Sequence, residues 1–125
     1  MKAPIEEINA FVDRNKEEMI LFWEQLVNRQ AGSKEVDRVN RIMQFLKKHF
    51  EREGIDCRLV DSHGSADVLV AELNADVPGA PLLLSGHCDT VFPSGSYPEA
   101  PFQLAAGLAR GPGVLDMKCG VAQIF

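Results

Sequence analysis

The sequence predicts a mixed α/β domain of the layered kind, and three observations predict it. Two segments before Gly54 carry apolar residues at helical spacing. Short β-rich runs separated by turn residues then follow. The last of these, Leu82–Ser85, leads directly into His87, Cys88 and Asp89, and open α/β sheets collect their ligand-binding groups beyond the carboxyl ends of strands.

From about Pro4 to Asn28, the residues Ile5, Ile8, Val12, Met19, Phe22, Trp23 and Leu26 share one helical face, with Glu6, Glu17 and Glu24 off it. The stretch RQAGSKE interrupts this pattern, and Ser33 is suited to cap a second helix. In that helix Val36, Val39, Ile42, Met43, Leu46 and Phe50 form the apolar stripe, and Gly54 is placed to end it. Three strands are expected at Ile55–Val60, Ala66–Leu73 and Leu82–Ser85, separated by the turn-forming DSHGS and NADVPGAP. The third is apolar on both faces, as a central strand of a covered sheet is. PFQLAAGLARGPG reads as two short strands around Gly107, and a helix is expected to begin near Met117. That helix has neither a capping residue nor a polar tail before Phe125, so the chain reads as stopping in mid-element.

A length of 125 residues is that of one ordinary domain, enough to bury a core without disulfides or metal. With 46% hydrophobic and 25% charged residues the composition is that of a globular protein. The net charge of −5, with basic and acidic residues interleaved, argues against nucleic acid and acidic membranes as partners. Acidic residues interrupt the N-terminus where a signal peptide is apolar, and no run is long enough to span a bilayer, so a cytoplasmic location is expected. Cys57, Cys88 and Cys119 leave at least one thiol unpaired, which suits a reducing compartment. They lack the close C-x-x-C pairs that structural zinc sites use.

On extended backbone, His87 and Asp89 point to the same side. Asp89 can then orient the imidazole, or both can face one cation. Asp116 follows RGPGVL, whose Gly111, Pro112 and Gly113 can bend the chain back to the same end of the sheet. On spacing alone a hydrogen-bonded loop histidine with solvated aspartates is the commoner reading, since motifs this short recur by chance. Cys88 is expected to be a small buried residue rather than a nucleophile, because its side chain points away from His87. His49, on the polar side of the second helix, and His63, in a turn, are expected to be solvated.

Read together, LLLSGHCDTV, APFQL and RGPGVLDMKCGVA resemble the co-catalytic di-zinc peptidase family that includes carboxypeptidase G, the aminoacylases and succinyl-diaminopimelate desuccinylase, and come nearest to its glutamate carboxypeptidase branch. The likeness is strongest over about residues 80–125, and GSKEVDRVNRIMQFLKKHFEREGIDCRL is similar to the family's N-terminal part. The resemblance implies a three-layer α/β/α catalytic domain of which residues 1–125 are the N-terminal portion. It implies zinc-dependent hydrolysis of a C-terminal peptide bond or of the amide of an N-acyl amino acid. Two zinc ions serve the complete enzyme, with cobalt as an alternative, and a homodimer is among the implied assemblies. It makes His87 a ligand to one zinc, Asp116 the carboxylate bridging both, and Asp89 the catalytic-site carboxylate behind the histidine. It also implies a cis peptide bond after Asp116. Cys119 stands where the family commonly has glycine, and Leu115 where a small residue is frequent.

The family's general base and a further zinc ligand are consecutive glutamates, followed later by an acidic residue and a histidine. Here Glu99 is the only glutamate after Asp89, the pairs Glu6–Glu7 and Glu17–Glu18 lie in the first helix, and no histidine follows His87. The expectation is therefore an N-terminal fragment, lacking the lid or dimerisation domain and the C-terminal part of the site, inactive alone and with an open sheet edge that favours association. Two other readings stay open: a non-catalytic binding or regulatory protein that keeps the first half of the fold, and a hydrolase using His87 and Asp89 without metal.

Overall fold

Pro4 leads into α1 (Ile5–Asn28) with a φ of −58°, already close to the helical value, and Glu6 and Glu7 place negative charge on the first turn, where the helix dipole favours it. The computed structural model describes residues 4–125. The apolar stripe of α1 is used unevenly. Ile5, Ile8 and Phe11 are more than half exposed, whereas Phe22, Leu26 and Val27 are buried against the rest of the chain. The first turns of α1 thus hold their helix by local bonding, and the last turns by packing.

The second helix, α2 (Val36–Arg52), buries Val39, Ile42 and Leu46. Its start differs from expectation: Glu35 occupies the cap position, and no side chain caps the helix. Ser33 is instead drawn away to the backbone of Thr90. Its end is as expected. Gly54 takes a left-handed φ of 71°, its N–H donates to Glu51 O, and Ile55 N–H donates to Phe50 O at 2.9 Å, which is the pair of reversed bonds that closes a helix on a C-terminal glycine.

Strands β1 (Asp56–Val60) and β2 (Val68–Glu72) pair antiparallel, with Asp56 opposite Glu72 and Val60 opposite Val68, and lie against α2. A second pair, β3 (Gln103–Ala105) and β4 (Leu108–Arg110), turns on Ala106 and Gly107, both with positive φ. Two consecutive left-handed residues make the tight hairpin whose twist matches that of its strands. A wide π-type turn at Val114–Cys119 then leads into α3 (Gly120–Ile124).

Leu82–Ser85 departs from its expected form. It is assigned to no strand, and Leu82 and Leu83 are each 86% exposed. A central strand needs hydrogen-bonded neighbours on both sides. Neither antiparallel pair extends to it, and the nearest ladder contact is a single parallel bridge between Gly32 and Thr90. The described residues combine three α-helices with two two-stranded antiparallel sheets, a mixed α/β composition consistent with part of an α/β domain. None of these helices is long and apolar enough to cross a membrane.

The core gathers Phe22 and Leu26 of α1, Val39, Ile42 and Leu46 of α2, Cys88, and Val121 and Ala122 of α3. His49 is not solvated as expected. Its ring lies 4.5 Å from that of Phe22 and 5.7 Å from that of Phe125, inside an aromatic cluster at the edge of this core. His63 is exposed and sits beside Asp61.

Replacing Leu26, which is fully buried, by alanine is expected to cost about 2–5 kcal/mol in urea unfolding, whereas Ile8→Ala on the exposed half of the same stripe changes stability by about 0.5 kcal/mol or less. Equal losses at the two positions would show that the whole stripe is packed.

Candidate functional site

The segment that carries His87 is fixed from behind. Thr90 N–H donates to Ala31 O at 2.9 Å, and Thr90 O accepts from Ser33 N–H at 2.9 Å and from the Ser33 hydroxyl at 3.1 Å. These bonds tie the residues after Cys88 to the connection between α1 and α2. Cys88 points into the core, 3% exposed, and burial pushes its thiol up to about 11, so the sulfur stays protonated and packs as a small apolar group. Because side chains alternate along extended chain, His87 and Asp89 both emerge on the opposite side from Cys88.

Asp116 arrives from the Gly111–Pro112–Gly113 turn. Gly113 has a φ of 69°, and a Cβ there would lie 2.7 Å from Thr90 Cγ2, so only glycine allows the turn to rest on the Thr90 segment. Trp23 Nε1–H donates to Val114 O at 3.0 Å and anchors the turn to α1. Asp116 and Met117 depart from helical geometry, and the peptide bond between them is cis, the form the family resemblance implies.

The structure brings the three predicted residues together. His87 Nε2 lies 3.1 Å from Asp116 Oδ1. On the other side of the ring, Nδ1 lies 3.0 Å from the backbone oxygen of Asp89 and 3.3 Å from its Oδ1. The sequence assigned the second ring nitrogen to the Asp89 carboxylate; the nearer acceptor is that residue's own carbonyl. His87, Asp89 and Asp116 border an open cavity of about 260 Å³, walled by Val91, Phe92 and Leu115.

The ring's surroundings dictate its tautomer. A carbonyl oxygen can only accept, so Nδ1 carries the proton that faces Asp89. In the neutral imidazole, Nε2 then presents a lone pair to the Asp116 carboxylate, and two acceptors at 3.1 Å repel unless positive charge lies between them. A proton can supply that charge. Partial burial works against the imidazolium, but the Asp89 carbonyl and the Asp116 and Asp89 carboxylates outweigh it and raise the pKa of His87 above its usual value. A divalent cation can supply the charge equally well. Two ligands of one tetrahedral zinc ion stand about 3.3 Å apart, close to the separation found here. An imidazole that coordinates through Nε2 while Nδ1–H is held by a carbonyl or carboxylate is the arrangement zinc-binding histidines use. The donor chemistry therefore fits, with two donors. Among the described residues no group of three or more His, Cys, Asp or Glu is placed to hold a metal ion.

The nearby Ser33 hydroxyl is the leading cause of a lowered Asp89 pKa, against partial burial and with the histidine adding to the effect, and its single proton serves either Asp89 or the Thr90 carbonyl at one time. Four residues that support the site went unassigned or misassigned in the sequence: Ser33, Glu35, Thr90 and Lys118. Ser33 was legible only as a helix cap. Lys118 carried a signal in being a single charge within the apolar run from Met117 to Ala122.

Glu35 secures the loop beyond Thr90. Its carboxylate accepts from Gly32 N–H at 2.6 Å, from Ser94 N–H at 2.9 Å and from the Ser94 hydroxyl, and Arg38 stands 3.6 Å away. The Ser94 hydroxyl, followed by the Gly32 and Ser94 amides, holds its pKa at about 2 against an ordinary value of 4.5. With the folded-state value depressed, the stabilisation is complete above pH 4.5 and disappears as pH falls toward 2. Thermal unfolding should therefore show the unaltered chain more stable than Glu35→Gln at neutral pH, with the difference shrinking below pH 4.5; a constant difference down to about pH 2.5 would contradict this assignment.

No family model matches the chain. It is similar to N-formyl-4-amino-5-aminomethyl-2-methylpyrimidine deformylase of Halalkalibacterium halodurans, with 32% identity over 124 residues, covering 94% of this chain and 29% of that protein. It is also similar to carboxypeptidase G2 of a Pseudomonas species, with 32% identity over 104 residues, covering 82% of this chain and 25% of that protein. The chain thus spans between a quarter and three-tenths of the length of the curated relatives it matches. Over that short stretch the two likenesses support a relationship to peptidases and amidohydrolases.

Proposed function

We propose that this chain is the N-terminal part of the catalytic domain of a metal-dependent amidohydrolase, in which His87 and Asp116 hold zinc or cobalt and Asp89 fixes the histidine tautomer from behind. The observation that carries this reading is His87 Nε2 facing a carboxylate oxygen of Asp116 at 3.1 Å while Nδ1 faces the Asp89 carbonyl, a pairing that favours positive charge, from a proton or a metal ion, between ring and carboxylate. The substrate class follows from the relatives. One is named for removing a formyl group from an amine and the other for cleaving at a peptide's carboxyl end, and both bonds are amides. A C-terminal peptide bond or the amide of an N-acyl amino acid is accordingly the bond to be broken.

Within the chain, the Asp89 carbonyl keeps the proton on Nδ1 and leaves Nε2 free to donate its lone pair. Asp116, with an 87% exposed side chain, can turn one carboxylate oxygen to the histidine side and the other into the cavity. When bound, the metal supplies Lewis acidity toward an amide carbonyl. Among the described residues, Asp89 and Asp116 are the carboxylates that line the cavity, and in this reading the general base comes from elsewhere in the complete enzyme. A positioned base contributes about 10²–10⁴-fold to such a reaction. A dimer of the complete enzyme and a small-molecule rather than macromolecular substrate belong to the same reading.

Two assays test it. Cobalt(II) titration followed by visible absorption should show weak binding that falls about tenfold or more in His87→Ala and in Asp116→Asn, and binding indifferent to both changes would overturn the assignment. Hydrolysis of N-acyl amino acids and of C-terminal glutamate conjugates should be undetectable with the chain alone. Turnover abolished by a chelator and by His87→Ala would show that the half-site is catalytically sufficient.

A further inference from the structure

Lys118 is the largest fully buried side chain in the described residues, at 0% exposure, and nothing in the proposed chemistry uses it. An ammonium group removed from water is costly unless it is hydrogen-bonded and faces negative potential. Its Nζ donates to Arg29 O at 2.8 Å. Arg29 is the residue that terminates α1, where unpaired carbonyls concentrate the negative end of the helix dipole, and the last turn of α1 contains no basic residue of its own. A lysine 89 positions away in sequence thus completes the end of this helix.

The same residue reaches the site through its backbone and stem. Lys118 N–H donates to Gly113 O at 3.0 Å, which closes the turn that carries Asp116. At Gly113, the space a Cβ would need is bounded by Thr90 Cγ2 and by Lys118 Cδ. Thr90 is in turn bonded to Ala31 and Ser33, just beyond Arg29. The lysine therefore ties two segments, the end of α1 and the turn that carries Asp116, and that turn rests on Thr90 of the stretch that carries His87.

We propose that Lys118 is a positioning residue, which sets the separation of His87 Nε2 and Asp116 by pinning the Asp116 turn to the carbonyl end of α1 without touching either group. This rests on the reading of His87 and Asp116 as a shared site, and the two ideas fail in different ways. The test compares the unaltered chain with Lys118→Met, which keeps the stem and removes the donor, and with Leu46→Ala, a core change away from the site. Two readouts are taken: the ring ¹⁵N signals of His87, identified by their loss in His87→Ala, and cobalt(II) affinity.

With Lys118→Met folded, as judged by circular dichroism, the His87 ring signals should shift and cobalt affinity should fall about tenfold or more. Leu46→Ala should lower the melting temperature while leaving the ring signals in place and affinity within about twofold. Ring signals and affinity in Lys118→Met that match those of Leu46→Ala would overturn the positioning role. Absence of cobalt binding in the unaltered chain would count against the metal reading alone, because the ring signals still report the geometry. Should Lys118→Met fail to fold, hydrogen exchange in the unaltered chain decides. The amides of Lys118 and Thr90 should show matching protection, and a Lys118 amide that exchanges more than about tenfold faster would overturn the proposal.

Discussion

Thr90 holds the candidate site to the rest of the molecule. Both of its backbone polar groups are bonded to the short connection between α1 and α2, through Ala31 and Ser33, and its methyl group supports the Gly113 turn. Without that pairing, the stretch from Leu82 to Asp89 would have no ladder contact with the helices, since it belongs to no strand. Each nearby feature depends on it. Cys88 can enter the core only if Thr90 is docked, His87 and Asp89 emerge together only if Cys88 is inside, and Asp116 meets His87 only if its turn can rest on Thr90.

The site is electrostatically incomplete in a specific sense. A carbonyl fixes one ring nitrogen as a donor, a carboxylate faces the other, and the gap between them favours a cation. Whether a proton or a metal fills it depends on how many further donors converge. The described residues bring two, and three protein ligands are the usual complement of a catalytic zinc site. The cavity beside the site is open, and Leu115 on its wall is largely exposed.

Much of this was legible in the sequence wherever a local rule sufficed. The apolar periodicity of Val36 to Phe50 and the glycine at position 54 specify α2 and its end, and Gly107 marks the turn between two short strands, though the left-handed φ of Ala106 carried no sequence signal. His87, Asp89 and Asp116 were legible as a group through spacing and motif resemblance. What was not legible depended on partners far away in sequence. Leu82–Ser85 has the composition of a covered strand, but composition does not supply a neighbouring strand. Ser33 looks like a cap because serine caps helices locally, yet the backbone of Thr90 competes for its hydroxyl. His49 falls on the polar side of α2 by periodicity, and only the packing of Phe22 from α1 and of Phe125 places it among aromatic rings. Lys118 has no local pattern at all, because its partner is a helix carbonyl that only the folded chain brings near.

The gap between His87 and Asp116 is proposed here as a cation site. Crystals grown with zinc and measured at its absorption edge test it most directly. An anomalous peak about 2.0–2.2 Å from both His87 Nε2 and a carboxylate oxygen of Asp116, with Nδ1 still against the Asp89 carbonyl, is the expected result. Zinc bound only at other groups, such as Cys119 or His63, with His87 and Asp116 joined directly through a proton, would contradict it.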